Sequence, residues 1–334
     1  MQQPEGAASA ATSPTMQSWS ARSNAGIVHM VRHSVILFPL IGLIAVSLLM
    51  VFATDNFLSF TNIMNVLRQV SINAIIAIGM TFVILTGGID LSVGSVLALA
   101  STVAAGLMVG GMPPAFALLL CLAIGLGFGV GNGMLVAYAR MPAIIVTLAT
   151  MGIARGLGLI YSGGYPISGM PFWVSWFGNG RIFDVPVPVI IMVVAYLVAW
   201  VVLERTPFGR YVYALGGNEH ATRLSGVRVN RAKVIIFAIS GLTTAVAAVV
   251  LTGRLMSGQP NAGVGFELDA IAAVVLGGTS IAGGRGSVVG TLIGAVLLGI
   301  LNNGLNLMGI DPYVQTVIKG FIILLAIYIG RERR

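Results

Sequence analysis

The chain reads as an all-α, polytopic membrane protein of about ten transmembrane helices with a weak inverted repeat. Three observations predict this. Of its 334 residues, 57% are hydrophobic and only 8% charged, with a mean hydropathy of +0.97; a soluble protein carries roughly 25% charged residues. Apolar runs of about 20 residues recur along it, the length that a bilayer-spanning helix needs. The few charges are also concentrated. Residues 204–233, ERTPFGRYVYALGGNEHATRLSGVRVNRAK, hold Arg205, Arg210, Arg223, Arg228, Arg231 and Lys233 against only Glu204 and Glu219. Loops this rich in Lys and Arg are retained on the cytoplasmic side. The net charge of +8 therefore reflects topology and not nucleic-acid binding.

Several chemistries are excluded by what is missing. Cys121 is the single cysteine, so no internal disulfide or zinc cluster can form, and His29, His33 and His220 are too scattered for a metal site. A P-loop needs Gly-Lys-Ser/Thr, but Lys233 follows Ala232 and Lys319 follows Ile318. The chain cannot carry a Walker-type ATPase. It also lacks a His-Glu metal motif, a Gly-x-Ser-x-Gly elbow and paired intramembrane carboxylates, which argues against an intramembrane enzyme.

Residues 1–33, rich in Gln, Ser, Ala and Pro, are expected to be a disordered cytoplasmic tail. The first span covers residues 34–53; it is too long for a signal-peptide core and no small-residue cleavage site follows it. The second, 62–86, carries Asn65, Arg68, Gln69 and Asn73, polar groups that cost a few kcal/mol at membrane depth unless they face protein or water. Gln69 and Asn73 either bond between helices or line a solute path. In LTGGIDLSVGSVLALAS, Gly87 and Gly88 break the helix, Asp90 or Ser92 caps the next, and Gly94 follows. Asp90 is read first as a cap and second as an ion or proton site. The third span runs from there to residue 110.

Pro113-Pro114 turns the chain, and the fourth span reaches residue 138. Its Gly125, Gly129 and Gly133 form a stripe that permits close helix packing in lipid. The fifth span, 142–161, contains Arg155, read as snorkelling near the outer face or as an internal partner. Residues 162–185, with Trp173 and Trp176, form an outer segment at headgroup level. The sixth span, 186–203, leads to the basic loop, and the seventh is 234–251. The eighth apolar run, 270–282, is short for a full crossing unless residues 261–269 partly dip into the membrane. The ninth covers 286–307 and the tenth ends at the basic C-terminus. An even number of spans puts both termini inside and leaves only Arg181 and Arg254 as clear outer exceptions.

Two sets of marks recur between the halves. Gly87-Gly88 followed by Gly94-Ser95-Val96 is echoed by Gly277-Gly278 followed by Gly286-Ser287-Val288; Asn132-Gly133 then Pro142 is echoed by Asn303-Gly304 then Pro312. The pattern fits spans two to five inverted onto seven to ten, an arrangement that places solute paths at the repeat interface.

Four blocks in this order, ILTGGIDLSVGSVLALA at 84–100, YALGGNEHATRLSGVRVNRAK at 213–233, GFELDAIAAVVLGGTSIAGGRGSVVGTLIGA at 265–295 and LNNGLNLMGI at 301–310, resemble the ribose-type permeases, the membrane subunits of bacterial sugar ABC importers. The resemblance covers nearly everything from residue 57 onward. It implies a permease domain over residues 34–334 in the bacterial inner membrane, assembled as a homodimer. It further implies a separate cytoplasmic ABC ATPase that holds ATP and Mg, with no cofactor in this chain, and a periplasmic or lipid-anchored sugar-binding protein.

By the same resemblance, Gly216, Gly217, Asn218, Glu219, Ala221, Leu224 and Gly226 form the ATPase-coupling loop. His220 stands where the usual pattern has Ala, and the Glu219–Gly226 spacing is one residue longer. The expected function is import of ribose or a related monosaccharide. A neutral sugar needs modest donors and acceptors along its path, and the candidates are Gln69, Asn73, Asn132, Asn303 and Asn306, each equally explicable by core hydrogen bonding. The alternative is a stand-alone secondary transporter or channel, with Asp90, Arg155 and Lys319 as its coupling charges.

Overall fold

The computed structural model describes residues 37, 39–54 and 56–330; the expected tail over residues 1–33 and the C-terminal residues 331–334 lie outside them. Within the described residues the fold is helical apart from two two-residue antiparallel ladders. Six helices are long and apolar enough to cross a membrane: α2 Phe60–Leu85, α4 Pro114–Ala137, α5 Ala143–Ser162, α7 Val187–Arg205, α10 Val229–Leu255 and α12 Val288–Leu307. The apolar helices α1 Pro39–Ala53 and α3 Val93–Val109 are shorter, and α13 Pro312–Gly330 closes the chain. The shorter helices are α6 Trp176–Asn179, α8 Pro207–Gly217, α9 Glu219–Leu224 and α11 Phe266–Leu276.

Helices α2 and α10 form the core. From Val70 onward nearly every residue of α2 is buried, which only a helix surrounded by protein can be. Neighbours are tied to it and to α10 by hydroxyl bonds: Thr81 to Thr291 of α12 at 2.8 Å, Tyr196 of α7 to the Ala74 carbonyl at 3.0 Å, and Thr252 of α10 to Ser101 of α3 at 2.8 Å. The glycine stripe of α4 faces α10. A methyl group on Gly129 would strike the Phe237 carbonyl, and one on Gly125 the Gly241 carbonyl, so these backbones touch. Gly127 and Gly131 of the neighbouring face meet nothing. In lipid, where no hydrophobic force draws helices together, such backbone approach supplies the packing energy.

Two of the helices, α3 with 17 residues and α11 with 11, begin inside the bundle. α11 has 11 residues, about 16 Å of helix against about 30 Å of hydrocarbon. The chain leaves the top of α10, pairs Ser257–Gly258 (β4) with Ile167–Ser168 (β1), lays Gly258 against Thr102 and Ala105 of α3, and brings Gly263 against Gly94 at the start of α3. The chain thus folds back into the bundle from Ser257 to the start of α11, over the stretch that includes residues 261–269. In the first half the chain turns at Gly87, whose φ is +76°, and runs back along the bundle to start α3 at the same depth.

The halves are therefore related by inversion. α2 corresponds to α10, α3 to α11, α4 to α12 and α5 to α13; α4 packs on α10 as α12 packs on α2, and α3 on α4 as α11 on α12. One pair of sequence marks needs correction. Gly87-Gly88 and Gly277-Gly278 lie at the same end of the bundle, since the Leu85 carbonyl accepts from Gly284 N at 2.8 Å, and an inversion cannot superpose them. Asn132-Gly133 and Asn303-Gly304 do fall on corresponding helices, α4 and α12.

Candidate functional site

The basic segment folds into two short helices at one end of the bundle. Thr206 caps α8 by accepting from Gly209 N at 3.3 Å, and Pro207 follows at the first helical position, where its missing N–H costs nothing. Val212 and Leu215 are buried, and Phe208 stacks on Phe82 of α2 with centroids 6.5 Å apart. Asn218 caps α9, its Oδ1 accepting from Ala221 N at 2.9 Å. Gly226 then turns the chain with φ +83°, a left-handed conformation that costs glycine least. Glu219 pins α9 to α10 through Lys233 at 2.7 Å and also meets Arg223 at 3.1 Å. Partial burial pushes the Glu219 carboxyl up, but the bonds and charges of Lys233 and Arg223 outweigh it and hold the group below its ordinary value.

The seven expected coupling residues divide between two faces. Gly217, Asn218, Ala221, Leu224 and Gly226 are exposed, Leu224 at 77%, while Glu219 is half-buried. Gly216 alone turns inward: a methyl group there would strike the Leu85 carbonyl and Gly284 N. The Tyr213 hydroxyl of α8 donates to the Gly286 carbonyl at 3.1 Å. The outward surface of α8–α9 is thus backed directly by the chain breaks that follow α2 and α11.

Beyond the break, Asp90 is buried, and its carboxylate accepts from Ser92 N at 3.1 Å, Ser92 Oγ at 2.6 Å and Ser240 Oγ of α10 at 2.8 Å. Ser92 Oγ in turn accepts from Asn132 Nδ2 of α4 at 3.0 Å. Asp90 thereby turns the chain into α3, whereas Ser92 makes no side-chain cap bond. Asn132 is one member of this network. It also edges a groove of about 770 Å³ between α3, α4 and α5, but that groove is lined by Leu99, Val103, Phe128 and other apolar groups and opens on the outer apolar surface.

A smaller, partly open cavity, about 190 Å³, lies between α2, α10, α11, α12 and α13. Of the expected path residues it brings together Gln69 and Asn73. Asn303 instead forms a reciprocal amide pair with Asn62, both bonds 2.9 Å, and Asn306 Oδ1 accepts from Gln315 Nε2 at 2.8 Å. The cavity adds Phe266, Asp269, Asn302 and Arg254, which were not among the expected path residues, and Lys319, expected only as a coupling charge of the alternative reading. Lys319 Nζ stands 3.4 Å from Asp269 Oδ1, and Asn73 Nδ2 donates to Asp269 Oδ2 at 3.2 Å. Asn73 Oδ1 and Asn302 Oδ1 are buried and find no partner among the described residues.

The chain is similar to known proteins. A family model described as the branched-chain amino acid transport system permease component matches residues 62–327. The chain belongs to this permease family. It is 51% identical over 297 residues to the ribose import permease protein of Bacillus subtilis strain 168, covering 88% of this chain and 92% of the relative. It is 48% identical over 299 residues to the ribose import permease protein of Escherichia coli K12, at 88% and 93%. The D-allose transport system permease protein of the same strain is 37% identical over 278 residues, at 83% and 85%.

In this permease, then, Gly87, Gly88 and Gly94 mark a re-entrant turn and a crossing point, and Gly94 sits against the Gly263 carbonyl. Arg155 has internal partners. Its guanidinium donates to the Pro260 and Ala262 carbonyls at 2.7 and 2.8 Å, satisfying backbone groups that a dipping, non-helical segment leaves unpaired. Asp269 was missed because its surroundings read as an outer loop. Asn302 was missed because neighbouring asparagines on a helix point about 100° apart, and LNNG does not say which faces inward.

Proposed function

We propose that this permease is the membrane subunit of an ATP-driven importer for ribose or a related monosaccharide, and that it performs no covalent chemistry itself. On this reading two copies sit in the bacterial inner membrane with all termini cytoplasmic. A separate ATPase, carrying ATP and Mg, docks on α8–α9, and a periplasmic or lipid-anchored binding protein delivers the sugar to the opposite face. The identity to ribose permeases across nearly the whole chain supports the solute class. The observation that carries the mechanism is Gly216, wedged between Leu85 and Gly284.

A push on the exposed face of α8–α9 reaches the ends of α2 and α11 without passing through a flexible linker. Packed helices answer such a push by moving as rigid pieces, and the non-helical segments before α3 and α11 supply the hinges. Import then requires a differential affinity of the ATPase for two arrangements of these breaks.

The test is uptake of labelled ribose in vesicles containing the complete complex. Gly226→Trp and Glu219→Trp should abolish ATPase co-purification or ATP-dependent uptake while the subunit still inserts. Normal transport by both variants would remove the docking assignment. Accumulation in vesicles holding this polypeptide alone would favour a gradient-driven secondary transporter instead.

A further inference from the structure

The partly open cavity between α2, α10, α11, α12 and α13 has a mixed lining. Its volume of about 190 Å³ equals roughly six water volumes, the order of size of one monosaccharide ring. Its lining mixes apolar side chains, with Phe266 the single aromatic ring among them, and the polar groups Gln69, Asn73, Arg254, Asp269, Asn302 and Lys319. Small-molecule sites are built in this way, with an apolar surface and a few convergent polar groups. The cavity also lies at the interface of the two inverted halves and against the first turn of the half-helix α11, the position where such folds hold solutes.

The polar groups narrow the class of ligand. Asn73 Oδ1 and Asn302 Oδ1 are buried acceptors without a partner among the described residues, and a buried acceptor calls for a donor. Hydroxyl groups supply donors. An anion would bring more acceptors to these groups, and a cation would meet Lys319 and Arg254. The Asp269 carboxylate, held at 3.2 Å by Asn73 and 3.4 Å by Lys319, retains lone pairs for a further hydroxyl. The C–H face of a sugar ring suits Phe266. We propose that each subunit thereby holds one neutral monosaccharide in this cavity, with hydroxyls on Asp269, Asn73 and Asn302 and the ring against Phe266. This inference rests on the transport reading above and adds a site inside the single subunit.

The test uses the full-length protein in lipid nanodiscs, without ATPase or binding protein. Radiolabelled D-ribose should bind saturably, one per chain, and Asn302→Leu, which fills the cavity, should weaken binding at least about tenfold. Because that variant risks misfolding, a second measurement uses thiol accessibility. Cys121 is buried and is the only native cysteine, so Leu298→Cys, at an apolar position of the lining, adds a single reporter. Ribose should slow its modification by a small methanethiosulfonate several-fold and leave Leu224→Cys, on the exposed α9 face, unchanged. Absence of both binding and protection, in a protein whose complete complex imports ribose, would overturn the site and leave the transport function standing. Protection by ribose 5-phosphate but not by ribose would overturn it as well. Failure of the complete complex to import any monosaccharide would sink the transport reading, and the site with it.

Discussion

The amide of Gly284 donates to the carbonyl of Leu85 at 2.8 Å. This bond joins the end of α2 to the loop following α11, and so ties the two halves together at the face where α8 rests. Gly216 closes the contact from the other side, and Gly283 packs against the same carbonyl with φ +88°.

Gly216→Ala is expected to insert and fold but to lose at least about tenfold in ATP-dependent uptake by the complete complex. An added methyl group meets backbone on two sides, not a yielding side chain, and such overpacking costs about 1–3 kcal/mol. Wild-type uptake with an unchanged melting temperature would separate this contact from coupling.

The glycine stripe on α4 supports a paired comparison. Gly129→Ala should lower stability in detergent by about 1–3 kcal/mol, because its methyl group meets the Phe237 carbonyl and the α10 backbone. Gly127→Ala, two residues away with open space before it, should stay within about 0.5 kcal/mol of wild type. Thermal unfolding followed by tryptophan fluorescence reads both. Equal losses would mean that helix propensity or lipid contact, and not the α4–α10 approach, governs the stripe.

Asp90 separates a structural role from an ion-coupling one. Asp90→Asn weakens the bonds from Ser92 and Ser240 and should destabilise the protein by about 1–3 kcal/mol, while the surviving folded transporter imports within a few-fold of wild type. Complete loss of uptake at unchanged stability would restore Asp90 as a coupling group.

Glu219 predicts a pH dependence confined to acid. Its carboxyl lies below the ordinary value of 4.5 in the folded chain, so its contribution is whole above that value and is lost as pH falls through the lower, folded one. With the side chain 42% exposed, solvent screening limits the effect to a fraction of a kcal/mol. Hydrogen exchange of the α9 amides, corrected for intrinsic rates, should be flat from pH 8 to about pH 5 and rise at more acid values. Glu219→Gln should raise exchange slightly at every pH and flatten the acid rise. A change centred near pH 6 to 7 would rule out Glu219 as its source.

Much of the site was legible in residue types. The basic elbow and its Gly216–Gly226 stretch stood out by charge and by resemblance; that Thr206 and Asn218 cap its helices and Gly226 turns the chain came from the structure. Gln69 and Asn73 stood out because amides are costly in an apolar span. The same reasoning could not separate them from Asn303 and Asn306, whose amides are spent on Asn62 and Gln315. Which buried amide is satisfied depends on partners up to 241 positions distant, and no local pattern reports that.

The membrane class, the succession of apolar spans and the basic elbow were determined by composition and order alone, because transfer into lipid depends on each segment's own side chains. Tertiary structure decided the rest. Gly94 meets Gly263, Arg155 satisfies a dipping backbone, and Asp269 joins Lys319 over a cavity. Each of these pairings is set by where the chain folds back, and folding back is a property of packed backbones rather than of any single stretch.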